Sequence, residues 1–170
     1  QNPEMLQRIN VDLAATLASE FRDSTIVAFS TGCVYSFVTP ESGGSSEDSP
    51  TKPVGDYAIS CLGREHQFTA ASKKWGTPVV LIRLNYSVEF RYGVLVDIAQ
   101  KVLAGETVDI STGYLNLIWQ PDALNQIIQC LELAQSPARP INITGPGVQK
   151  VEDLARRFGE LFDTEPKFSG

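Results

Sequence analysis

The sequence predicts an open α/β fold built on a parallel sheet, and three features carry that prediction. Ile26-Val27-Ala28-Phe29 is an apolar β-type run that delivers Ser30 and Thr31 to a strand end. Val79 to Leu84 (VVLIRL) is a nearly continuous apolar run, the pattern of a strand covered on both faces. A helical pattern from Val54 to about Trp75 lies between them. Strand, helix and strand in that order make a right-handed crossover with parallel strands. In such sheets ligands bind beyond the carboxyl ends of the strands.

The elements follow in order. Asn2-Pro3-Glu4 is a helix start, with a capping amide, a proline in the first turn and an acid at the positive end of the dipole. Leu6, Ile9, Leu13, Leu17 and Phe21 then recur at helical spacing and give one apolar face. After the strand ending at Thr31, the stretch from Thr39 to Pro53 is rich in Pro, Ser, Gly and acids, which predicts a mobile surface loop. On the next helix Tyr57 and Cys61 stand four apart and share a face, with Leu62, Phe68 and Ala71 turned to the core. Asn85-Tyr86-Ser87 sits at the carboxyl end of the second strand. Leu95, Ile98 and Val102 mark another helix, and Val108 to Ile110 and Leu115 to Trp119 are short strands. Pro121-Asp122 opens a helix expected to turn Leu124, Ile127, Ile128 and Leu131 inward. Ile141 to Thr144 is a strand leading into a Gly145 turn, and Val151, Leu154, Phe158 and Leu161 form a last amphipathic helix.

Composition narrows the function classes. A chain of 170 residues with 42% hydrophobic content suits one sizeable globular core. Net charge −6 and a pI near 4.8 argue against the basic footprint of a nucleic-acid binder. No apolar run reaches membrane length, and no basic region followed by an apolar stretch opens the chain. Cys33, Cys61 and Cys130 are scattered, without a C-x-x-C pair, and read as reduced thiols. The expectation is a cytoplasmic protein with no metal, no membrane and no nucleic acid among its partners.

Two segments, Ser30-Thr31-Gly32-Cys33-Val34-Tyr35 and Tyr57-Ala58-Ile59-Ser60, resemble the extended short-chain dehydrogenase/reductase family. This is the NAD(P)-dependent epimerase/dehydratase group, which acts largely on nucleotide sugars. The resemblance implies part of a Rossmann-type doubly wound parallel sheet plus a small α/β substrate domain. Residues 1–85 would be the C-terminal half of the cofactor domain, and 86–170 a substrate-domain segment interleaved with the last strands of the sheet. It implies Tyr57 as the acid/base and Thr31 as the hydroxyl that orients a substrate oxygen. Asn10, Ser30, Cys61 and Leu84 fall on cofactor-binding positions, with NAD or NADP as the cofactor. Cys33, Asn85 and Tyr86 fall on positions that bind a nucleotide sugar or other small substrate. A homodimer through the helices at Leu6–Phe21 and Tyr57–Trp75 is also implied.

The sequence departs from the family pattern in three places. The family's Tyr-x-x-x-Lys reads Tyr57-x-x-x-Cys61 here, so the usual lysine is a neutral thiol. A cation there favours the phenolate and a thiol does not, which predicts a weaker base at Tyr57. Neither Lys52 nor Arg64 is expected to point at the same spot. Ser87-Val88-Glu89 stands where the family carries Gly-Pro, so the substrate loop differs. No Gly-rich turn of the kind that meets a pyrophosphate is present, and the family's cofactor half is expected upstream of Gln1. The readings are an epimerase, dehydratase or reductase, a catalytically weak relative that senses a cofactor or binds a partner, and a fragment with no site.

Overall fold

The computed structural model describes residues 2–170. The elements run α1 (Pro3–Leu6), α2 (Leu13–Glu20), β1 (Ile26–Thr31), α3 (Asp56–Trp75), β2 (Val79–Leu84), β3 (Tyr86–Val88), α4 (Val94–Leu103), β4 (Thr107–Asp109), β5 (Tyr114–Trp119), α5 (Gln120–Gln129), β6 (Arg139–Ile143), β7 (Val148–Lys150), α6 (Val151–Phe162) and β8 (Lys167–Ser169). They divide into two units, Gln1–Asn85 with Leu124–Ile143, and Tyr86–Ala123 with Thr144–Gly170.

The first unit is a parallel sheet in the order β1-β2-β6. β2 is central, and Val79, Val80, Leu81 and Ile82 are all buried, as its apolar sequence requires. The core joins Ala28, Val79 and Leu81 of the strands to Ala14 and Ala18 of α2 and Phe68 and Ala71 of α3. Small residues let α2 and α3 approach closely. Gly63 is part of this: a Cβ there would meet Val11 Cγ2 at 2.8 Å.

The first helix departs from the sequence reading. Asn2 Oδ1 caps it by accepting from the amides of Glu4 (3.0 Å) and Met5 (3.5 Å). Between α1 and α2, residues Gln7–Asp12 are wound as a π segment. The extra residue per turn rotates the helix and buries Asn10, Ala14 and Ala18, while Ile9 (53% exposed) and Leu13 (48% exposed) face outward with Met5, Leu17 and Phe21. The apolar face exists, but it does not pack on the sheet.

The Thr39–Pro53 segment is pinned at several points rather than loose. Glu47 Oε1 accepts from the Asn142 amide (2.8 Å), Asn142 Nδ2 donates to the Ser45 carbonyl (3.1 Å) and Lys52 N donates to the Val34 carbonyl (2.9 Å). Beneath it runs a row of polar residues across the sheet, because the register pairs Ser30 with Arg83 and Arg83 with Asn142. Arg83 makes two charge-assisted bonds to buried Glu65 (3.0 and 2.7 Å), and Ser30 Oγ donates to the same carboxylate (2.6 Å). Arg83 Nη1 donates to the Tyr35 hydroxyl (2.7 Å), which itself donates to Asn142 Oδ1 (2.8 Å). This network ties α3, all three strands and the loop together.

Helix α5 also corrects an expectation. Ala123, Ile127 and Cys130 are buried, whereas Leu124, Ile128 (72% exposed) and Leu131 are not. Only Ile127 of the four residues read as inward reaches the core.

The second unit holds a β3-β5-β7 sheet, with β3 parallel and β7 antiparallel to β5, and a parallel β4-β8 pair. Its core packs Ile98 and Val102 of α4 against Val151 and Ala155 of α6, with Val108 and Leu115 from the strands. Leu161, read as a fourth core residue of α6, is exposed; Leu154, Phe158 and Phe162 are the larger side chains that pack inward. Gly145 has no room for a Cβ, which would run into the Leu117 carbonyl. Among the described residues no helix is long and apolar enough to cross a membrane.

Candidate active site

The carboxyl end of β1 and the first turns of α3 build the site, both within the first unit. Thr31 is extended and nearly buried, and its Oγ1 accepts from the Cys33 amide (3.2 Å), which starts the 3-10 turn Gly32–Val34. That bond uses an oxygen lone pair and leaves the hydroxyl proton for another acceptor. Gly32 leaves room for the Asn85 side chain at the end of β2, which a Cβ here would push aside. The strand ends are thereby drawn together at Gly32 and Asn85.

Tyr57 lies in the first turn of α3 and is 44% exposed. It lines an open pocket of about 380 Å³ with Cys33, Phe37, Val54, Gly55, Asp56 and Ala58. Gly55, at φ 84°, lets the chain turn sharply into the helix. Cys61, one turn further along the helix and 1% exposed, lies close enough to Tyr57 for each group to shift the other's ionisation. Partial burial, followed by the neighbouring Cys61 and Cys33, pushes the phenol above its ordinary range; Arg64 pulls the other way. Burial likewise pushes the Cys61 thiol up, against the pull of the neighbouring Tyr57 phenol and Arg64. As it stands the pair is neutral at physiological pH, with Tyr57 a proton donor.

The other residues singled out in the sequence fall as follows. Asn10 is buried, donates to Ser60 Oγ (2.8 Å) and accepts from Arg64 Nη2. Ser30 is committed to Glu65 (2.6 Å). Leu84 and Asn85 are half-buried at the end of β2. Tyr86 opens β3 in the second unit and does not line the pocket. Thr31 lies at the strand end just before Cys33 and is not itself a lining residue.

Arg64, not expected from the sequence to point at this spot, is the residue to add. Its guanidinium donates to the Phe29 carbonyl (2.8 Å) and to Asn10, and its charge is felt at both Tyr57 and Cys61. The signal was present: positions 57, 61 and 64 are i, i+4 and i+7, one stripe of a helix, and long side chains lean toward the helix N-terminus.

A dinucleotide needs groups for its nicotinamide end and a cradle for its pyrophosphate. Thr31 and Leu84 at the strand ends and Tyr57 on the first turn of α3 have the chemistry for the first. For the pyrophosphate, among the described residues no Gly-rich turn joins a strand directly to a helix N-terminus; Gly145-Pro146-Gly147 leads into β7 instead. Groups that fit the first end are present, and among the described residues the second has no such cradle. Among the described residues no cluster of His, Cys, Asp or Glu could hold a metal ion.

A parallel sheet with crossover helices and a tyrosine over its carboxyl edge defines a Rossmann-like α/β protein. Residues 1–113 match the NAD dependent epimerase/dehydratase family, and the chain belongs to it. Its fold is similar to that of UDP-glucuronic acid 4-epimerase from Bacillus cereus in complex with NAD (TM-score 0.82, 18% identity, covering 96% of this chain and 56% of that one). It is also similar to UDP-glucose 4-epimerase from Thermotoga maritima with UDP-glucose (TM-score 0.80, 17% identity, 99% and 58%). A third likeness is UDP-N-acetylglucosamine 4-epimerase from Bacillus cereus (TM-score 0.73, 20% identity, 93% and 58%). The chain thus spans a little over half the length of each. No curated protein sequence matches it.

Proposed function

We propose that this chain is the tyrosine-bearing part of an NAD(P)-dependent enzyme that epimerises, dehydrates or reduces a nucleotide sugar. The observation that carries this reading is the Tyr57 phenol, half-exposed in a pocket beside the end of β1, where Thr31 ends the strand. Tyr57 gives a proton to, or takes one from, a sugar oxygen, and the Thr31 hydroxyl donates to the same oxygen and holds it in place. A bound nicotinamide supplies a hydride acceptor and donor at the adjoining carbon. Leu84 and Asn85 flank that position at the end of β2, while Asn10 and Ser30 act through Arg64 and Glu65 rather than by direct contact. Residues 1–85 take the part of the cofactor domain, and 86–170 contribute the substrate side, with Tyr86 there, interleaved with residues 124–143, which return to the first unit and carry β6 of its sheet. The apolar stripe Met5, Ile9, Leu13, Leu17 and Phe21, joined by exposed Ile59 of α3, supports a homodimer through these helices.

The test is conversion of UDP-glucose or UDP-glucuronic acid with NAD or NADP, followed by proton NMR of the anomeric signals. Tyr57→Phe should lower kcat by about 10²–10⁴-fold, the usual contribution of a positioned acid/base, and Thr31→Ala should lower it less. Unchanged turnover in Tyr57→Phe would remove the reading.

A second reading rests on one observation. The family's lysine position is taken by the buried Cys61 thiol beside Tyr57, and the phenol is pushed above its ordinary range, by burial first and then by Cys61. The same fold then serves a catalytically weak relative that senses a cofactor or binds a partner. Cofactor binding without turnover distinguishes it.

A further inference from the structure

We propose that Arg64 is the positioning cation of the Tyr57 site, filling from the next turn of the helix the place that a neutral residue 61 leaves without charge. This rests on Tyr57 being the acid/base.

Three observations support it. The first is anchorage. Arg64 Nη1 donates to the Phe29 carbonyl (2.8 Å) and Nη2 to Asn10 Oδ1. Asn10 donates in turn to Ser60 Oγ (2.8 Å), and Ser60 Oγ donates to the Tyr57 carbonyl (2.8 Å). The guanidinium is therefore fixed, through two neutral side chains, to the turn that carries the phenol. The π segment is what turns Asn10 inward to make this link.

The second is charge balance. Both hydrogen-bond acceptors of Arg64 are neutral, and among the described residues no carboxylate forms an ion pair with it. Its neighbour Glu65 is taken up by Arg83 and Ser30. A half-buried guanidinium without a counterion holds its field for whatever negative charge develops nearby.

The third is placement. Arg64 lies seven residues after Tyr57, on the same stripe of α3, with a stem that leans back toward it. The titratable or charged groups that reach Tyr57 are Cys61 and Arg64 from α3 and Cys33 from the turn after β1. Asp56 shares the pocket, and the packed first helix contributes the neutral Asn10. Arg64 is the one cation in that set. When Tyr57 gives up its proton, the phenolate forms within the field of this charge and is favoured by it.

The plain alternative is that Arg64 only buckles the β1 carbonyl to the first helix. Titration of Tyr57 separates the two. With the tyrosine ring carbon Cζ labelled with ¹³C, and Tyr57→Phe used to identify its signal, NMR follows the phenol from neutral to alkaline pH. Arg64→Gln should move the Tyr57 midpoint up by about half a pH unit or more, and Arg64→Lys should restore most of it. A Tyr57 midpoint unchanged in Arg64→Gln, whatever happens to the melting temperature, overturns the proposal. If the Gln variant does not fold, Arg64→Met removes the same charge and is read the same way. The titration needs no turnover, so it stands apart from the kinetic test: loss of activity in Tyr57→Phe with an unmoved midpoint sinks this inference alone. A moved midpoint with unchanged turnover sinks the acid/base reading.

Discussion

Cys61 shows how one residue changes what the site can do. It is 1% exposed and stands beside the Tyr57 phenol, so it fills space and adds no positive charge to favour the phenolate. Lysine at this position would bring a charged head along the Tyr57 ring toward the pocket, with its stem covering the apolar wall. Cys61→Lys should therefore lower the Tyr57 midpoint and raise kcat or cofactor affinity, at a cost in stability from crowding a buried site. No change in any of the three would show that residue 61 does not address the phenol. Tyr57, Thr31 and Cys33 were singled out from the resemblance of two short segments to a family pattern, and Cys33 and Tyr57 line one pocket while Thr31 ends the strand beside it. The Glu65–Arg83 pair and the Asn10–Arg64 bond were not legible, since each joins residues 18 and 54 positions apart. Such pairs depend on register and helix rotation, which no local window contains.

At the scale of elements, periodicity located the helices and strands but did not say which way each face looks. The stripe Ile9, Leu13 and Leu17 repeats correctly for a helix, yet the π segment and the alanines at 14 and 18 set the packing face, and the stripe turns outward. On α5 the same rule buries Ala123 and Ile127 and leaves Leu124 and Ile128 exposed. Hydrophobicity alone ranks leucine above alanine, whereas close helix packing selects the smaller side chain. The outward stripe makes a prediction for the proposed dimer. Leu13→Glu places a charge in the middle of an apolar contact and should weaken association by about 2 kcal/mol or more, roughly thirtyfold in Kd. Light scattering across a concentration series measures it. Because Leu13 is half-exposed within the chain, the melting temperature of the dilute variant should hardly move. A wild-type chain that stays monomeric at high micromolar concentration, or a variant that dimerises equally well, removes the dimer.

For the whole molecule, the strand–helix–strand order was enough to give a parallel α/β sheet, because handedness and apolar strands leave few alternatives. The division into units was less accessible, since residues 124–143 return to the first unit after 86–123 have built part of the second. A chain that leaves a sheet and comes back does so by long-range pairing, here β2 with β6. The same topology limits what this chain can bind. In the proposed reading, the hydroxyl at the end of β1 and the phenol on the first turn of α3 address a nicotinamide and the oxygen it acts on. Tight dinucleotide binding draws much of its strength from the pyrophosphate, held by backbone amides at a Gly-rich helix start, and among the described residues that feature is absent. The 170-residue chain alone should therefore bind NAD or NADP only weakly, with calorimetric titrations that do not saturate at micromolar cofactor. A protein carrying an added strand–Gly turn–helix segment beside the open edge of β1 should bind at micromolar concentration. Micromolar affinity in the chain as it stands would mean that Thr31, Tyr57 and their neighbours hold the cofactor by themselves, and the cradle assigned to a Gly-rich turn would then have to be sought among residues 2–170.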